Sequence, residues 1–359
     1  MDHARFPQPA RSPHHKTLVL SDPGDLRIGP IRAIPDVLTE MKVSPGGVFA
    51  EAGVDLALFR DPDSRVPFEA IGRLFLACAR ATNCDHFGVL VGERFDLEGL
   101  GAIGHLMRNE AMVGDALRSL VLHLHLQDRG ASPLLLAPDG RSVLLGYSIY
   151  RHGVPATGQV YDAAVAIGHR ILRELCGPSW NALRVQLSHG PPKDVAPFRR
   201  LFGSEIWFDA DVSGIVFSSS WLDRPIEGAD PALREGLAAS LHEAEAVSRM
   251  SFSERVRVTL HQLILSGAAT SSHIARLFAV DDRTVRRRLR KEGTSLRLLI
   301  SEARFELAQQ LLLNTGLSIA EIASALQYAD PKAFSRAFRS WADMSPTQWR
   351  AQAAAPREP

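Results

Sequence analysis

A chain of 359 residues, 45% hydrophobic and 23% charged, has the composition of a globular protein and the length of two domains. It has no run of eighteen apolar residues, no apolar core in its Pro-rich start MDHARFPQPARSPHHK, and only three scattered cysteines, Cys78, Cys84 and Cys176; no helical membrane span, no signal peptide and no disulfide or zinc framework is expected, but a cytoplasmic protein with structural or free thiols. The net charge of +1 is unevenly spread, since residues 254–353 hold fifteen Lys and Arg against nine Asp and Glu and the remainder hold 26 against 31.

Residues 1–30, rich in Pro, Gly, His and Asp, are expected to be a disordered tail, and the neighbouring His14 and His15 are too little for a metal site. From Ile31 to about Leu126 the pattern is helical. Pro35 opens a first helix that Ser44-Pro45-Gly46-Gly47 should end, and Pro67 opens the next. There Phe68, Ile71, Leu74, Phe75 and Cys78 recur at three- and four-residue spacing, so one face is buried.

From Pro133 the period changes. Two apolar runs flank Pro138-Asp139-Gly140-Arg141, a hairpin signal. Val160–Leu175 is an amphipathic helix stopped by Gly177-Pro178. Ala182–His189 alternates like a strand, VAPFRRLFG is a short helix, and EIWFD and GIVFSS are two more strands. Residues 31–250 therefore read as an α+β domain of helices followed by an antiparallel sheet crossed by one helix, with the domain junction near residue 250.

Residues 251–353 are helical throughout. SERVRVTLHQLILSG is a first helix with Ser253 as cap and Gly267 as stop. Then a pattern occurs twice. Ser271–Phe278 followed by Asp282–Glu292 gives helix, tight turn, helix, and so does Ser318–Leu326 followed by Pro331–Trp341. Ile274-Ala275 is matched by Ile322-Ala323, Asp281 by Asp330, and Val285, Arg287 and Leu289 by Phe334, Arg336 and Phe338. The offset is 48 residues before the turn and 49 after it, so one turn is a residue longer. Between the repeats Ser295–Leu313, without internal Gly or Pro, spans roughly 27 Å as a helix, close to the ~34 Å repeat of B-DNA.

A repeated helix-turn-helix with basic second helices is the pattern of a protein that reads DNA at two places. Asp281 should cap the first such helix. Arg283, Thr284, Arg286 and Arg287 occupy its first turn and a half, where side chains reach base edges, and Arg can bond guanine bidentately. Arg288, Arg290 and Lys291 suit phosphate or solvent. In the second helix the corresponding outward positions are Lys332, Ala333, Ser335 and Arg336, with Phe334, Phe338 and Trp341 packing inside. That second head is chemically blander and should position more than it discriminates. A merely solvated basic face is the competing reading of RRRLRK alone; the duplication, the spacing helix and the segregated charge weigh against it.

The segment IAEIASALQYADPKAFSRAFRSWADMSPTQWR (319–350) resembles the second helix-turn-helix of the AraC/XylS transcription regulators, including the Pro at 346 and the aromatic-Arg ending at 349–350. RTVRRRLRKEGTSLRLLISEAR is similar to the same family's first helix-turn-helix. Gln327 departs from the pattern, standing where the family usually has Gly in the turn. DPDSRVPFEAI (61–71), HFGVLVGERF (86–95), LRVQLSHGPP (183–192) and FRRLFGSEIWFDAD (198–211) resemble the subgroup with an N-terminal arabinose-binding-type domain. The resemblance implies an α+β regulatory domain that senses a small-molecule effector and forms a homodimer, followed by an all-α DNA-binding domain whose two helix-turn-helix motifs are joined by a long helix. It does not imply arabinose as the ligand. The partners to expect are double-stranded promoter DNA, an effector of unknown identity and RNA polymerase, with no membrane.

His123, His125 and His189 lie near acidic residues, but HExxH, GxSxG, a Walker loop and GxGxxG after a strand are all missing from the sequence. Gly101–Gly104 is too short a glycine pattern to cradle phosphate, and none of the cysteines has the Pro-Cys-His setting of a DNA-repair alkyltransferase. We therefore expect no catalytic residues, no metal and no cofactor. An architectural protein whose acidic half only dimerises, and an enzyme fused to a DNA-binding tail, are the other classes; ligand-dependent thermal stability of residues 1–250 separates the first from an effector sensor.

Overall fold

The computed structural model describes residues 26–136, 141–149, 154–210, 212–247, 251–265, 269–278, 280–314 and 317–354. Residues 1–25 of the expected tail lie outside these, but Leu26–Ile31 do not belong to a tail. Leu26–Arg27 (β1) pairs antiparallel with Arg65–Val66 (β2), Leu26 opposite Val66. Arg27 is buried, with Nε 2.7 Å from Asp63 and Nη1 donating to the Gly99 carbonyl at 2.5 Å. Burying a charge needs such partners, and two distant chain segments supply them.

Six helices follow: Ile34–Glu40 (α1), Pro45–Ala52 (α2), Phe68–Thr82 (α3), Phe87–Glu93 (α4), Ala102–Arg108 (α5) and Val113–His123 (α6). Ser44-Pro45-Gly46-Gly47 opens a helix where a stop was expected, because Pro45 takes the first helical position, where an N–H would have no partner anyway. On α3 the predicted face, Phe68, Ile71, Leu74, Phe75 and Cys78, is buried as its spacing requires. Burial pushes the Cys78 and Cys176 thiols up to about 12, which makes them packing groups rather than nucleophiles.

The sheet contains Ala131–Leu136 (β3), Ser142–Ile149 (β4), Arg184–Gln186 (β5), Glu205–Trp207 (β6) and Gly214–Ser218 (β7), in the order β3-β4-β7-β5-β6. The hairpin forms as expected, with Leu134 opposite Gly146; residues 138–140 of its turn lie outside the described residues. The sheet is mixed, not antiparallel. β5 and β6 run parallel, Val185 opposite Ile206, because Ala196–Phe202 (α8) carries the chain back between them. Thr157–Cys176 (α7) crosses the sheet and approaches α4 at two glycines. A Cβ on Gly88 would stand 2.1 Å from the Gln159 carbonyl oxygen, and one on Gly92 2.5 Å from the Ala166 Cβ. Only glycine admits that contact between the two backbones. One apolar core lies under α5, α6 and the sheet, a second under α1–α3, and α7 contributes to both, Val165 and Leu172 to the first and Val160 and Tyr161 to the second.

Pro231–Val247 (α9) precedes residues 248–250, the expected junction, which lie outside the described residues. The C-terminal part comprises Phe252–Leu265 (α10), Ser271–Leu277 (α11), Asp282–Lys291 (α12), Leu296–Asn314 (α13), Ile319–Ala325 (α14), Pro331–Ala342 (α15) and Pro346–Ala354 (α16) around a third core. The cap of α10 is Ser251, two residues before the expected Ser253. Its Oγ accepts from the Glu254 N–H at 3.2 Å while Glu254 accepts from the Ser251 N–H at 2.6 Å, a reciprocal capping box. The predicted stop at Gly267 lies outside the described residues.

Candidate nucleic-acid interface

The two repeats are built alike. Ile274, Ala275, Ile322 and Ala323 are buried, and so are Val285, Leu289, Phe334 and Phe338. The turn after α11 closes with Phe278 N–H on Ile274 O at 3.0 Å and Val280 N–H on Ala275 O at 2.9 Å. The turn after α14 closes identically, Leu326 on Ile322 at 3.0 Å and Tyr328 on Ala323 at 2.9 Å. The 48-residue offset thus holds through Val280 and Tyr328, and the additional residue of the second turn is Ala329. Gln327 stands at φ 60°, the left-handed position its departure from glycine pointed to. Its N–H and that of Tyr328 close a Schellman turn on Ser324 and Ala323.

Each second helix begins on an aspartate. Asp281 accepts from the Thr284 N–H at 2.7 Å, and Asp330 from the Ala333 N–H at 2.7 Å. The Thr284 backbone bond, aided by its hydroxyl at 3.0 Å, holds the Asp281 carboxyl below its ordinary range. Both caps leave a helix N-terminus exposed, the end that favours phosphate.

With Val285 and Leu289 turned inward, Arg283, Arg286, Arg287 and Arg290 of α12 are exposed, together with Lys291, and none of them pairs with a carboxylate among the described residues. Thr284 is half-buried and its hydroxyl is engaged by Asp281. Arg288 leaves this face and lies over the Phe252 ring at 5.3 Å. On α15, Lys332 and Arg336 are exposed while Ala333 and Ser335 flank them half-buried. Arg339, outside the expected set, continues the face of Lys332 and Arg336 at the next i+3 position and is exposed. Arg297 and Arg304 were not expected either. With Arg286 they line a cleft of about 630 Å3 between the heads, where Arg304 lies 4.9 Å over the Tyr328 ring. Their signal is their spacing, one side of the linking helix at i and i+7.

The linking helix α13 has 19 residues, hence a length of about 28 Å. Trp341 Nε1 donates to Ser301 Oγ at 3.1 Å, and Phe305 packs against Phe338, Trp341 and Trp349. The aromatic-Arg ending is structural. Arg350 donates to the Leu312 carbonyl at 3.1 Å and the Leu317 carbonyl at 2.6 Å, closing the end of α13. At the other side, Glu292 accepts from the Phe252 and Ser253 N–H groups at 3.0 and 2.7 Å. Partial burial pushes the Glu292 carboxyl up, but these bonds outweigh it and hold it below the usual range.

A family model described as the arabinose-binding domain of AraC transcription regulators matches residues 43–226, and a helix-turn-helix domain model matches residues 274–352. The chain belongs to the AraC family of transcription regulators. Among curated members of similar sequence, the HTH-type transcriptional regulator VirS of Mycobacterium tuberculosis is 26% identical over 317 residues, 88% of this chain and 93% of the relative. The ornithine utilization regulator of Pseudomonas aeruginosa is 24% identical over 322 residues, 89% and 94% of the two chains. The crystal structure of the transcriptional regulator CdpR from P. aeruginosa aligns with a TM-score of 0.45 at 21% identity, covering 89% of this chain and 97% of that one. As an AraC-family regulator the protein is a DNA-binding transcription factor with an α+β N-terminal domain and a helical C-terminal one.

The histidines weighed as enzymatic are dispersed. His123 Nδ1 and His125 Nδ1 lie 2.8 Å from the Ser119 and Leu122 carbonyls, while His189 Nε2 lies 2.8 Å from the buried Asp162. Among the described residues no group of His, Cys, Asp and Glu could hold a metal ion, and no helix is long and apolar enough to cross a membrane.

Proposed function

We propose that this regulator grips promoter DNA in the cytoplasm with two heads in successive major-groove segments. Arg283, Arg286 and Arg287 read base edges from α12, with Thr284 setting the helix start and Arg290 on phosphate. Lys332, Ala333, Ser335 and Arg336 of α15 position the second head. The observation that carries the reading is the unpaired cationic face of α12, repeated in weaker form on α15 behind the same aspartate cap. The DNA-binding unit spans residues 251–353, and the preceding unit, residues 31–250 with Leu26–Pro30 added by the β1 pairing, forms the homodimer and senses a small-molecule effector. RNA polymerase is the partner through which bound protein changes transcription.

The test is a helical-phase experiment on a mapped operator. Five base pairs inserted between the two half-contacts turn one by about half a helical turn, and affinity should fall to that of a single head. Undiminished affinity would mean that one head alone reads DNA.

A further inference from the structure

A cavity of about 100 Å3 lies in the N-terminal unit between α3, α6, α7 and β4, where the two apolar cores meet. Phe75, Leu120, Leu145 and Ile171 are among its walls, and the polar groups that reach it are Gln127, Asp128 and Tyr147. Asp128 is occupied by the wall itself: Oδ1 accepts from the Gly130 and Ala131 N–H groups at 2.8 and 3.2 Å, and Oδ2 from the Tyr147 hydroxyl. Gln127 is different. It is 8% exposed, its Nε2 donates to the Leu100 carbonyl at 3.3 Å, and its Oε1 is buried with no partner. A buried acceptor without a donor is destabilising, and a ligand that supplies the donor removes that cost.

From this geometry we infer that the cavity takes a small, mostly apolar ligand carrying one hydrogen-bond donor, which it presents to Gln127 Oε1, and that it does not take a sugar. An engineered apolar cavity of about 150 Å3 binds benzene, so a phenol-sized ring is the right scale. A pentose would bring several hydroxyls to a wall with one open acceptor, leaving the others dehydrated and unmatched. α7 leaves the room by carrying Gly168, whose Cβ would stand 3.5 Å from Ile215 Cδ1 and 3.7 Å from Leu145 Cδ2. The inference rests on the proposed effector role of this unit and gives that effector a chemical class.

The experiment titrates the full-length protein with phenol, benzene and L-arabinose, reading the melting temperature and calorimetric binding. Phenol should raise the melting temperature with its concentration, and L-arabinose should not. Phenol should bind about tenfold tighter than benzene, the worth of one buried hydrogen bond. Gln127→Leu should bring that ratio to about one, and Gly168→Leu should abolish both. Should Gly168→Leu fail to fold, the comparison of phenol with L-arabinose needs no variant. Binding of L-arabinose with phenol silent, binding of neither aromatic, or an unchanged ratio in Gln127→Leu overturns the inference. Phenol that binds through Gln127 yet leaves operator affinity unaltered defeats the effector role and leaves the site standing.

Discussion

The two heads make unequal claims on phosphate, and salt measures the inequality. Arg283, Arg286, Arg287, Arg290 and Lys291 stand exposed and unpaired on the first head, against Lys332, Arg336 and Arg339 on the second. On a duplex without an operator sequence these cations can meet only phosphates, and each phosphate contact contributes about 0.9 to the slope of log K against log salt. Replacing the first set by Gln should therefore lower the slope by up to about 4.5, and replacing the second by up to about 2.7. Between 50 and 200 mM salt the second set alone changes the loss of affinity by about 40-fold. Gln is as good a helix former as Arg, and exposed unpaired charges contribute little to stability, so the helices should survive. Fluorescence anisotropy on a 30-base-pair duplex at four salt concentrations, with circular dichroism as the fold control, measures both slopes. A second-head variant that lowers the slope as much as the first, or either variant that weakens binding equally at every salt, would refute the assignment of these faces to DNA.

Within the first head, Arg287→Ala should cost about 1–3 kcal/mol at the operator and relax preference at one base pair, whereas Lys291→Ala should weaken all sequences alike; equal losses in competition assays would remove Arg287 from the base edge. Gln327→Gly should stabilise the protein by roughly 0.5–1 kcal/mol in denaturant titration, because it relieves a left-handed residue at a cost of some unfolded-state entropy. His169 is buried between Trp180 and Phe202, and burial first, then Arg173 and Arg170, lowers it to about 4. The folded chain thus refuses a proton that the unfolded chain takes up below its ordinary 6.5. Stability should fall as pH drops from about 6.5 to 4, by about 3 kcal/mol in the limit, and His169→Phe should flatten that acid limb of the melting curve. His189 acts in the opposite sense: burial lowers it, but the Asp162 bond and charge prevail and raise it, so its contribution is lost as pH climbs above its folded value.

What the sequence made legible was local or duplicated. The caps Asp281 and Asp330 announce themselves by side-chain type and by the 49-residue offset, and the buried pairs Ile274-Ala275 and Ile322-Ala323 by the repeat itself. α7 was legible because its twenty residues give the helical period several turns to show. What failed was short or non-local. A two-residue strand such as Leu26–Arg27 has no period, and its partner lies 39 residues away. The parallel pairing of three-residue β5 and β6 is decided by where α8 returns the chain. Ser44-Pro45 is ambiguous in principle, since Pro both ends helices and begins them. The face of Arg339 is legible from its spacing, whereas the displacement of Arg288 onto Phe252 depends on a contact 36 residues distant.

Glu292 joins the last turn of the DNA-facing helix α12 to the first turn of α10, the segment through which the rest of the protein arrives. Mechanically it is a rivet between a lever and its blade. α12 is ten residues and therefore about 15 Å long, so a tilt of about 10° at this rivet carries its far end, where Asp281 and Arg283 stand, by about 2.6 Å. That is the length of a hydrogen bond, enough to lift an arginine off a base edge. α15 is reached less directly: its Trp341 bonds Ser301 in the first half of α13, beside Glu302, which Arg257 of α10 holds at 3.0 Å, while Trp349 of α16 packs on Phe305 and Arg350 closes the end of α13. Force entering at α10 thus reaches α12 in one step through Glu292 and α15 in two through α13, and the pair behaves as a hand with one finger hinged at the knuckle and one moved through the palm.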